Sequence, residues 1–143
     1  MSLILHMRPD RLPARALRFT HTFGLGGIAL VLFGLLVFTG VLLMFAYDPS
    51  PERAWLSIDS FQRDTLFGGL VRGVHFWSAN LLLPVVLLHL VRVFLTGGYQ
   101  GSRKGNWHFG LGIGFFIILS GFTGYLLPWD QTAYWAITIC TEM

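Results

Sequence analysis

The chain has 143 residues, of which 54% are hydrophobic and only 12% are charged, and its mean hydropathy is +0.62. Because an ordinary globular domain has roughly 25% charged residues, this composition argues against a soluble domain. The formal net charge of +3 does not indicate a nucleic-acid partner, since the basic residues cluster beside apolar segments, where they set membrane orientation.

The first segment, residues 1–20, is basic. It carries four arginines among Leu, Ile and Ala, namely Arg8, Arg11, Arg15 and Arg18. Their spacing of three to four residues puts the charges on one helical face, although Pro9 and Pro13 can interrupt a helix there. The pattern predicts a basic amphipathic segment that lies on a membrane surface.

Three long blocks of the remaining chain, residues 21–143, contain almost no charge: 19–47, 73–91 and 107–127. Each block is long enough to cross ~30 Å of hydrocarbon as ~20 helical residues. The sequence therefore predicts an all-α integral membrane protein with three transmembrane helices. The expected spans are about 23–47, 70–97 and 107–127, and a short outer helix is expected at about 129–140.

The connecting loops differ in charge. Loop 97–106 holds one arginine and one lysine with no acid, whereas loop 48–69 holds four acidic residues against two arginines. The positive-inside rule therefore predicts that the N-terminus and loop 97–106 lie on the cytoplasmic, negative side of the membrane. Loop 48–69 and segment 128–143 then face the positive side. In this orientation His75 lies near the outer leaflet and His89 near the inner leaflet.

His75 and His89 lie fourteen residues apart on the second span. Fourteen residues of α-helix return to nearly the same face and advance ~21 Å, so one imidazole lies in each leaflet. A lone intramembrane histidine can be a packing residue, but a pair at this spacing favours a ligand role. Two histidines ~21 Å apart cannot share a zinc ion, whereas imidazole is a common axial ligand of haem iron.

The same interval of fourteen separates pairs of glycines on the flanking spans. Gly26 and Gly40 form the pair on the first span, and Gly110 and Gly124 form the pair on the third. In antiparallel helices Gly40 and Gly124 fall at the depth of the outer histidine, and the other two fall at the depth of the inner one. Because glycine has no Cβ, each depth has room for a haem edge. Close packing between membrane helices is the alternative interpretation.

Arg72 and Arg92 each lie three residues from a histidine, toward the nearer membrane surface. Each arginine therefore shares the face of its histidine. A guanidinium at this position is suited to charge-assisted hydrogen bonds with haem propionates. The alternative is that these side chains extend to the lipid headgroups.

The sequence resembles the N-terminal part of the cytochrome b family, and in particular its short split form, cytochrome b6. The resemblance covers about residue 20 to the end of the chain. It rests on Gly26-Gly27, Thr39-Gly40, Arg72-x-x-His75-x-Trp77-Ser78-Ala79, His89-x-x-Arg92-Val93-x-Leu95-Thr96-Gly97-Gly98, Trp107-x-x-Gly110, Gly124-Tyr125-x-Leu127-Pro128-Trp129-Asp130-Gln131 and Tyr134-Trp135-Ala136.

The resemblance implies that His75 binds the iron of an outer, low-potential haem b and His89 that of an inner, high-potential haem b. It also implies an outer quinol-oxidation site. The side chains expected to line part of this site are Phe122, Tyr125, Trp135, Ala136 and Ile137. Without the resemblance, aromatic residues just past a span would be interpreted as an interfacial belt.

The sequence departs from the family pattern in two places, and each departure changes what we expect of the haems. The chloroplast-type protein has a cysteine before the first Gly-Gly that tethers an extra haem, and Gly24 stands at that position here, so we expect no covalently attached haem. In the family a fourth helix supplies the second histidine to each haem. His6, His21 and His108 do not replace those ligands, and His21 and His108 are better interpreted as interfacial, with an inner quinone site as the less favoured role. The second axial ligands are therefore expected from a longer polypeptide or a partner chain.

The implied function is that of a subunit, not a complete enzyme, of a quinol:electron-acceptor oxidoreductase of the bc or b6f type. Such a subunit moves electrons between an outer quinol-oxidation site and an inner quinone-reduction site. The implied partners are quinol and quinone, a Rieske-type iron–sulfur protein and a c-type cytochrome, in a homodimeric complex of an energy-transducing membrane such as the bacterial inner membrane. The alternatives are a haem-b anchor of a quinone-linked dehydrogenase or hydrogenase, and a haem-free structural membrane subunit.

Overall fold

A computed structural model of the chain describes residues 23–142, so the predicted basic segment at 1–20 lies outside the described residues. Helix is the only regular secondary structure within that range. The five α-helices, in chain order, are α1 (Leu25–Met44), α2 (Ala54–Asp64), α3 (Gly68–Leu95), α4 (Lys104–Leu126) and α5 (Gln131–Glu142), with a 3₁₀ turn at Gly101–Arg103 before α4.

Helices α1, α3 and α4 are long and apolar enough to cross a membrane. Their number and character confirm the predicted fold class, an all-α membrane protein with three spans. Large apolar side chains along all three helices are exposed, and no large side chain is fully buried within residues 23–142. Such surfaces suit contact with lipid or with further helices rather than with water.

Helix α2 differs from the prediction, which treated residues 48–69 as a loop. Eleven residues form a helix there, with Ala54 fully buried at its first turn. An ion pair of 2.9 Å joins Arg63 to Asp59 one turn earlier. The segment packs against α3, and a Cβ on Gly68 would overlap the carbonyl oxygen of Phe61. A short, polar helix of this kind depends on tertiary packing, because isolated helices of this length are marginal in water.

Helices α1 and α3 pack against each other in antiparallel orientation, and two contacts show their direction. Gly40, near the end of α1, lies against His75, and Gly26, near its start, lies against His89. Buried side chains of the pair include Thr39 on α1 and Leu82 on α3. Helix α3 continues through Pro84, which has no N–H to donate to the carbonyl of Asn80. The two histidines and the two glycines predicted on the first span thus meet within one pair of helices, α1 and α3.

The junction between α4 and α5 is a sharp turn. Pro128 follows the last residues of α4, and Trp129 adopts a left-handed backbone conformation with φ 51°. Asp130 then caps α5, because its Oδ1 accepts a hydrogen bond of 2.8 Å from the backbone N–H of Ala133. The Tyr47 hydroxyl donates to the carbonyl oxygen of Leu127 at 2.7 Å, which ties the end of α1 to the end of α4.

Candidate functional site

His75 contacts two consecutive residues of α1. A Cβ on Gly40 would lie 3.3 Å from its Cε1 atom, so the ring edge rests on the glycine backbone. Its Nδ1 lies 2.9 Å from Oγ1 of Thr39. That hydroxyl also donates to the carbonyl oxygen of Leu35 at 2.6 Å, one turn earlier in the same helix. We call His75 and Gly40 the His75 level.

His89 meets the other α1 glycine in the same way but has a different polar environment. A Cβ on Gly26 would lie 3.2 Å from its Cε1, 3.6 Å from Nδ1 and 3.7 Å from Nε2. Its Nδ1 is buried and has no hydrogen-bond partner among the described residues. We call His89 and Gly26 the His89 level. An unsatisfied buried polar atom needs an explanation, and a site completed by another group supplies one.

The glycines of α4 are placed less closely to the histidines. A Cβ on Gly110 would lie 3.8 Å from Cδ2 of Leu90, next to His89 in the chain, whereas a Cβ on Gly124 would meet no atom within 4 Å among the described residues. Neither contacts an imidazole. Their role as clearance for a haem edge stays a prediction, as it does for Gly26 and Gly40.

Arg72 and Arg92 differ in their hydrogen-bond partners, as the two histidines do. Arg72 donates from a terminal guanidinium nitrogen to Oε1 of Gln62 on α2. Arg92 has a buried Nε with no partner in the described part of the chain. Near His89, both the Nε–H of Arg92 and the Nδ1 atom of the histidine therefore lack a hydrogen-bond partner among the described residues. His75 and Arg72 each have one. Pairing of either arginine with a propionate stays a prediction.

These groups fit haem better than a bare metal ion. Within residues 23–142 there is no group of three or more His, Cys, Asp or Glu side chains that could hold a metal ion. Each level instead offers one imidazole beside a glycine that leaves the helix surface bare, and an arginine lies one turn away. Haem iron needs only axial ligands from the protein, because the porphyrin supplies the others. The donor set therefore fits one haem at each level.

The residues predicted for an outer quinol site lie on two adjacent helices. Phe122 and Tyr125 belong to α4, Trp135, Ala136 and Ile137 belong to α5, and the two helices are in contact. The aromatic rings are largely exposed, and Trp135 packs edge to face on Tyr134 with centroids 5.5 Å apart. The structure thus brings the two helices into contact, and the role of these side chains in a quinol site stays a prediction.

Two polar residues that follow α1 have shifted pKa values. Burial, and then the neighbouring Asp48 carboxylate, raise the pKa of Tyr47, so its hydroxyl stays a hydrogen-bond donor to Leu127 at neutral pH. The pKa of Asp48 is lowered mainly by the backbone N–H of Ser50, which donates to its carboxylate at 3.0 Å. At the far end of α4, the His108 ring lies 2.8 Å from the carbonyl of Lys104 through its Nδ1. Predicted interfacial His21 lies outside the described residues.

Sequence reasoning assigned no role to Thr39, which it quoted only as part of a family motif, and did not single out Gln62 or Gly114. Thr39 stands beside Gly40, and a threonine beside the glycine at a histidine's depth was a usable signal. Gly114 is buried, and a Cβ on it would lie 3.0 Å from Cδ1 of Leu90. Among the described glycines of α4, it makes the closest approach to α3. It falls outside the fourteen-residue interval. The contact of Gln62 with Arg72 depends on α2, which was not predicted.

Known proteins are similar to this chain in sequence and in fold. A sequence profile of the family described as Cytochrome b/b6/petB matches residues 13–143. The chain belongs to the cytochrome b/b6 family. Among curated relatives, it is 42% identical over 117 residues to cytochrome b6 of Porphyra purpurea and 44% identical over 117 residues to cytochrome b6 of Bigelowiella natans. Both alignments cover 82% of this chain and 54% of the relative. The chain therefore spans about half the length of these relatives.

A solved structure shares the fold of this cytochrome b family member. It is a chain described as "Hyperthermophilic respiratory Complex III", with a TM-score of 0.80 and 34% sequence identity. The match covers 85% of the present chain and 31% of the solved chain. The resemblance of the sequence to the cytochrome b family is thereby confirmed.

Proposed function

We propose that this chain is the haem-binding N-terminal part of a di-haem cytochrome b, acting as a subunit of a membrane quinol:electron-acceptor oxidoreductase. One observation carries the proposal: two imidazoles on one helix face, fourteen residues apart, each rest on a glycine of α1. Membership of the cytochrome b/b6 family and the likeness to a chain of a respiratory Complex III support it.

In this proposal His75 and His89 each supply one axial ligand, and the second ligand of each haem comes from outside the described chain. When bound, haem b supplies one-electron chemistry through its iron. The glycines of α1 let each imidazole sit against the helix backbone, which limits the orientations of its ring. Arg92, with its unsatisfied Nε, and Arg72 are suited to bind propionate carboxylates.

The proposed complex oxidises quinol near one membrane surface and reduces quinone near the other. Residues of α4 and α5, led by Phe122, Tyr125 and Trp135, contribute part of the quinol-oxidation site. The proposed partners are a Rieske-type iron–sulfur protein, a c-type cytochrome and a second copy of the complex. We expect the assembly in an energy-transducing membrane, with no haem attached covalently at Gly24.

The proposal is tested by removing one ligand at a time in the native complex. His75→Leu is expected to abolish haem binding at the His75 level and leave most of the haem at the His89 level, and His89→Leu is expected to do the reverse. Haem content and reduced-minus-oxidised α bands measure both. His108→Leu on α4 is the matched control, because this ring bonds within its own helix and both haems should remain.

Retention of both haems in either ligand variant would overturn the ligand assignment. Absence of α bands from intact membranes would favour a haem-free structural subunit. Co-purification with a dehydrogenase or hydrogenase subunit, in place of an iron–sulfur protein and a c-type cytochrome, would favour a haem-b anchor.

A further inference from the structure

The contacts of Thr39 with its own helix and with His75 favour one tautomer of the imidazole. A threonine hydroxyl has one proton, and Oγ1 of Thr39 lies 2.6 Å from the carbonyl oxygen of Leu35 and 3.4 Å from that of Leu36, both in its own helix. Since that proton is directed to the helix carbonyls, we assign Oγ1 as the acceptor and Nδ1–H as the donor in the 2.9 Å contact with His75. A neutral imidazole protonated on Nδ1 has its lone pair on Nε2.

The His89 level has no counterpart to this arrangement. The α1 residue that precedes Gly26, as Thr39 precedes Gly40, is Leu25, whose side chain cannot hydrogen-bond. Nδ1 of His89 is buried and unpaired among the described residues. The two levels thus repeat the imidazole and the glycine but not the hydroxyl. This asymmetry separates the bond at Thr39 from the general packing of α1 on α3.

We propose that Thr39 is a positioning residue for the haem ligand His75, and that the hydrogen bond from Nδ1–H to its hydroxyl lowers the reduction potential of the haem at that level. The proposal rests on the proposed function of His75. A ligating histidine that donates its second N–H becomes a more basic ligand, with a fixed tautomer and ring orientation. A more basic ligand stabilises ferric over ferrous iron, because it donates more charge to the metal.

The bond is well built for this role. Thr39 is only 4% exposed, so water does not compete for the hydroxyl. Its attachment to the Leu35 carbonyl fixes the hydroxyl within the helix, and a side chain on neighbouring Gly40 would displace the ring from it. The hydroxyl therefore acts on His75 from a rigid element, and second-shell partners of this kind change metal affinity by about 10–100-fold when removed.

The test uses redox titration and electron paramagnetic resonance of both haems in the native complex. Thr39→Val keeps the side-chain shape and removes the hydroxyl, whereas Thr39→Ser keeps the hydroxyl. In Thr39→Val we expect the ferrous-to-ferric ratio of the haem at the His75 level, at a fixed ambient potential, to rise about tenfold, which is ~59 mV for one electron. Its low-spin signal should also shift. The haem at the His89 level should be unchanged, and Thr39→Ser should match the parent protein.

Thr123→Val is the matched control. The Thr123 hydroxyl donates to the carbonyls of Leu119 at 3.0 Å and Ser120 at 3.2 Å, the same pattern within a helix as Thr39, but it contacts no histidine. The control should shift neither haem. An equal shift in the control, an equal shift of both haems, or an unchanged potential in Thr39→Val would overturn the proposal.

Thr39→Ala covers the case in which valine prevents assembly, since it removes the hydroxyl without adding volume. Selective loss of haem from the His75 level in Thr39→Ala, with retention in Thr39→Ser, supports the proposal. Loss of both haems together contradicts it, because that result marks a packing residue. His75→Leu, measured in parallel, separates the two ideas: if it retains both haems, the ligand assignment fails, and if it loses one while Thr39→Val changes nothing, only the role of Thr39 fails.

Discussion

Single residues decide how each imidazole is held. His75 and His89 rest on glycines of α1 through the same atom, Cε1, at nearly equal distances from an added Cβ, 3.3 Å and 3.2 Å. The match follows from one interval of fourteen residues on two antiparallel helices, because equal steps along both preserve the register. What the interval does not repeat is the polar partner of Nδ1, which is Thr39 at one level and absent among described residues at the other.

The first residue-scale prediction concerns the glycines of α1. In Gly40→Ala the new Cβ would crowd the His75 ring, so we expect weaker haem binding at that level, by about tenfold as for a disturbed metal ligand. Gly26→Ala should act on His89 and spare the other haem. Haem content and separate α bands in the native complex measure the two levels.

Gly27→Ala supplies the control, because a Cβ there would meet no described atom within 4 Å. Alanine is also the better helix former by about 1 kcal/mol, so a general effect on α1 would be neutral or stabilising. If Gly27→Ala removed haem as effectively as Gly40→Ala, the crowding of the ring would not be the cause.

Among the elements, α3 and α4 approach each other at a glycine of α4. Gly114 is buried, and an added Cβ would lie 3.0 Å from Cδ1 of Leu90. Membrane helices associate through close packing, since lipid offers no hydrophobic drive between them, and small residues permit the approach. Leu90 follows His89 in the chain, so this contact joins α4 to α3 next to the His89 level.

At this scale we predict that Gly114→Val forces α4 away from α3. Overpacking of this kind costs about 1–3 kcal/mol. The midpoint temperature for loss of haem absorbance in detergent should fall, and the haem at the His89 level should be lost first. Gly112→Val, two residues away where a Cβ meets nothing within 4 Å, is the control and should leave that midpoint within error of the parent protein. An equal fall in both variants would contradict a specific α3–α4 contact.

At the scale of the whole molecule, the loop charges predict which end of each helix faces which side of the membrane. The charge bias predicts that α5 lies on the positive side and that the start of α4 lies on the negative side. Cys140, on α5, is exposed and is the single cysteine of the sequence. It therefore serves as a native reporter of orientation.

We predict that a membrane-impermeant maleimide labels Cys140 in right-side-out vesicles but requires permeabilisation in inverted ones. Lys104→Cys in a Cys140→Ser background should show the opposite dependence, because the exposed start of α4 lies at the other end of that span. Labelling of both positions from one side would contradict the predicted topology.

The three spans and the family could be predicted from the residues alone, whereas the depth of each histidine in the membrane stays a prediction. These follow from interactions that are local or periodic: apolar runs long enough for the bilayer, and an interval that returns to one helix face. Segment 54–64 escaped prediction because its helix is short and polar and is stabilised by packing on α3.

Only the tertiary structure decided which neighbours the histidines have. The pairing of Thr39 with His75, of Gln62 with Arg72 and of Gly114 with Leu90 joins residues on different helices. Such pairs depend on the rotation of each helix about its axis and on the rotamers that packing allows, neither of which a hydropathy pattern specifies. The interval of fourteen residues could therefore be read from the sequence, whereas the packing of α1 on α3 gives His75 a hydroxyl partner and leaves Nδ1 of His89 without one among the described residues.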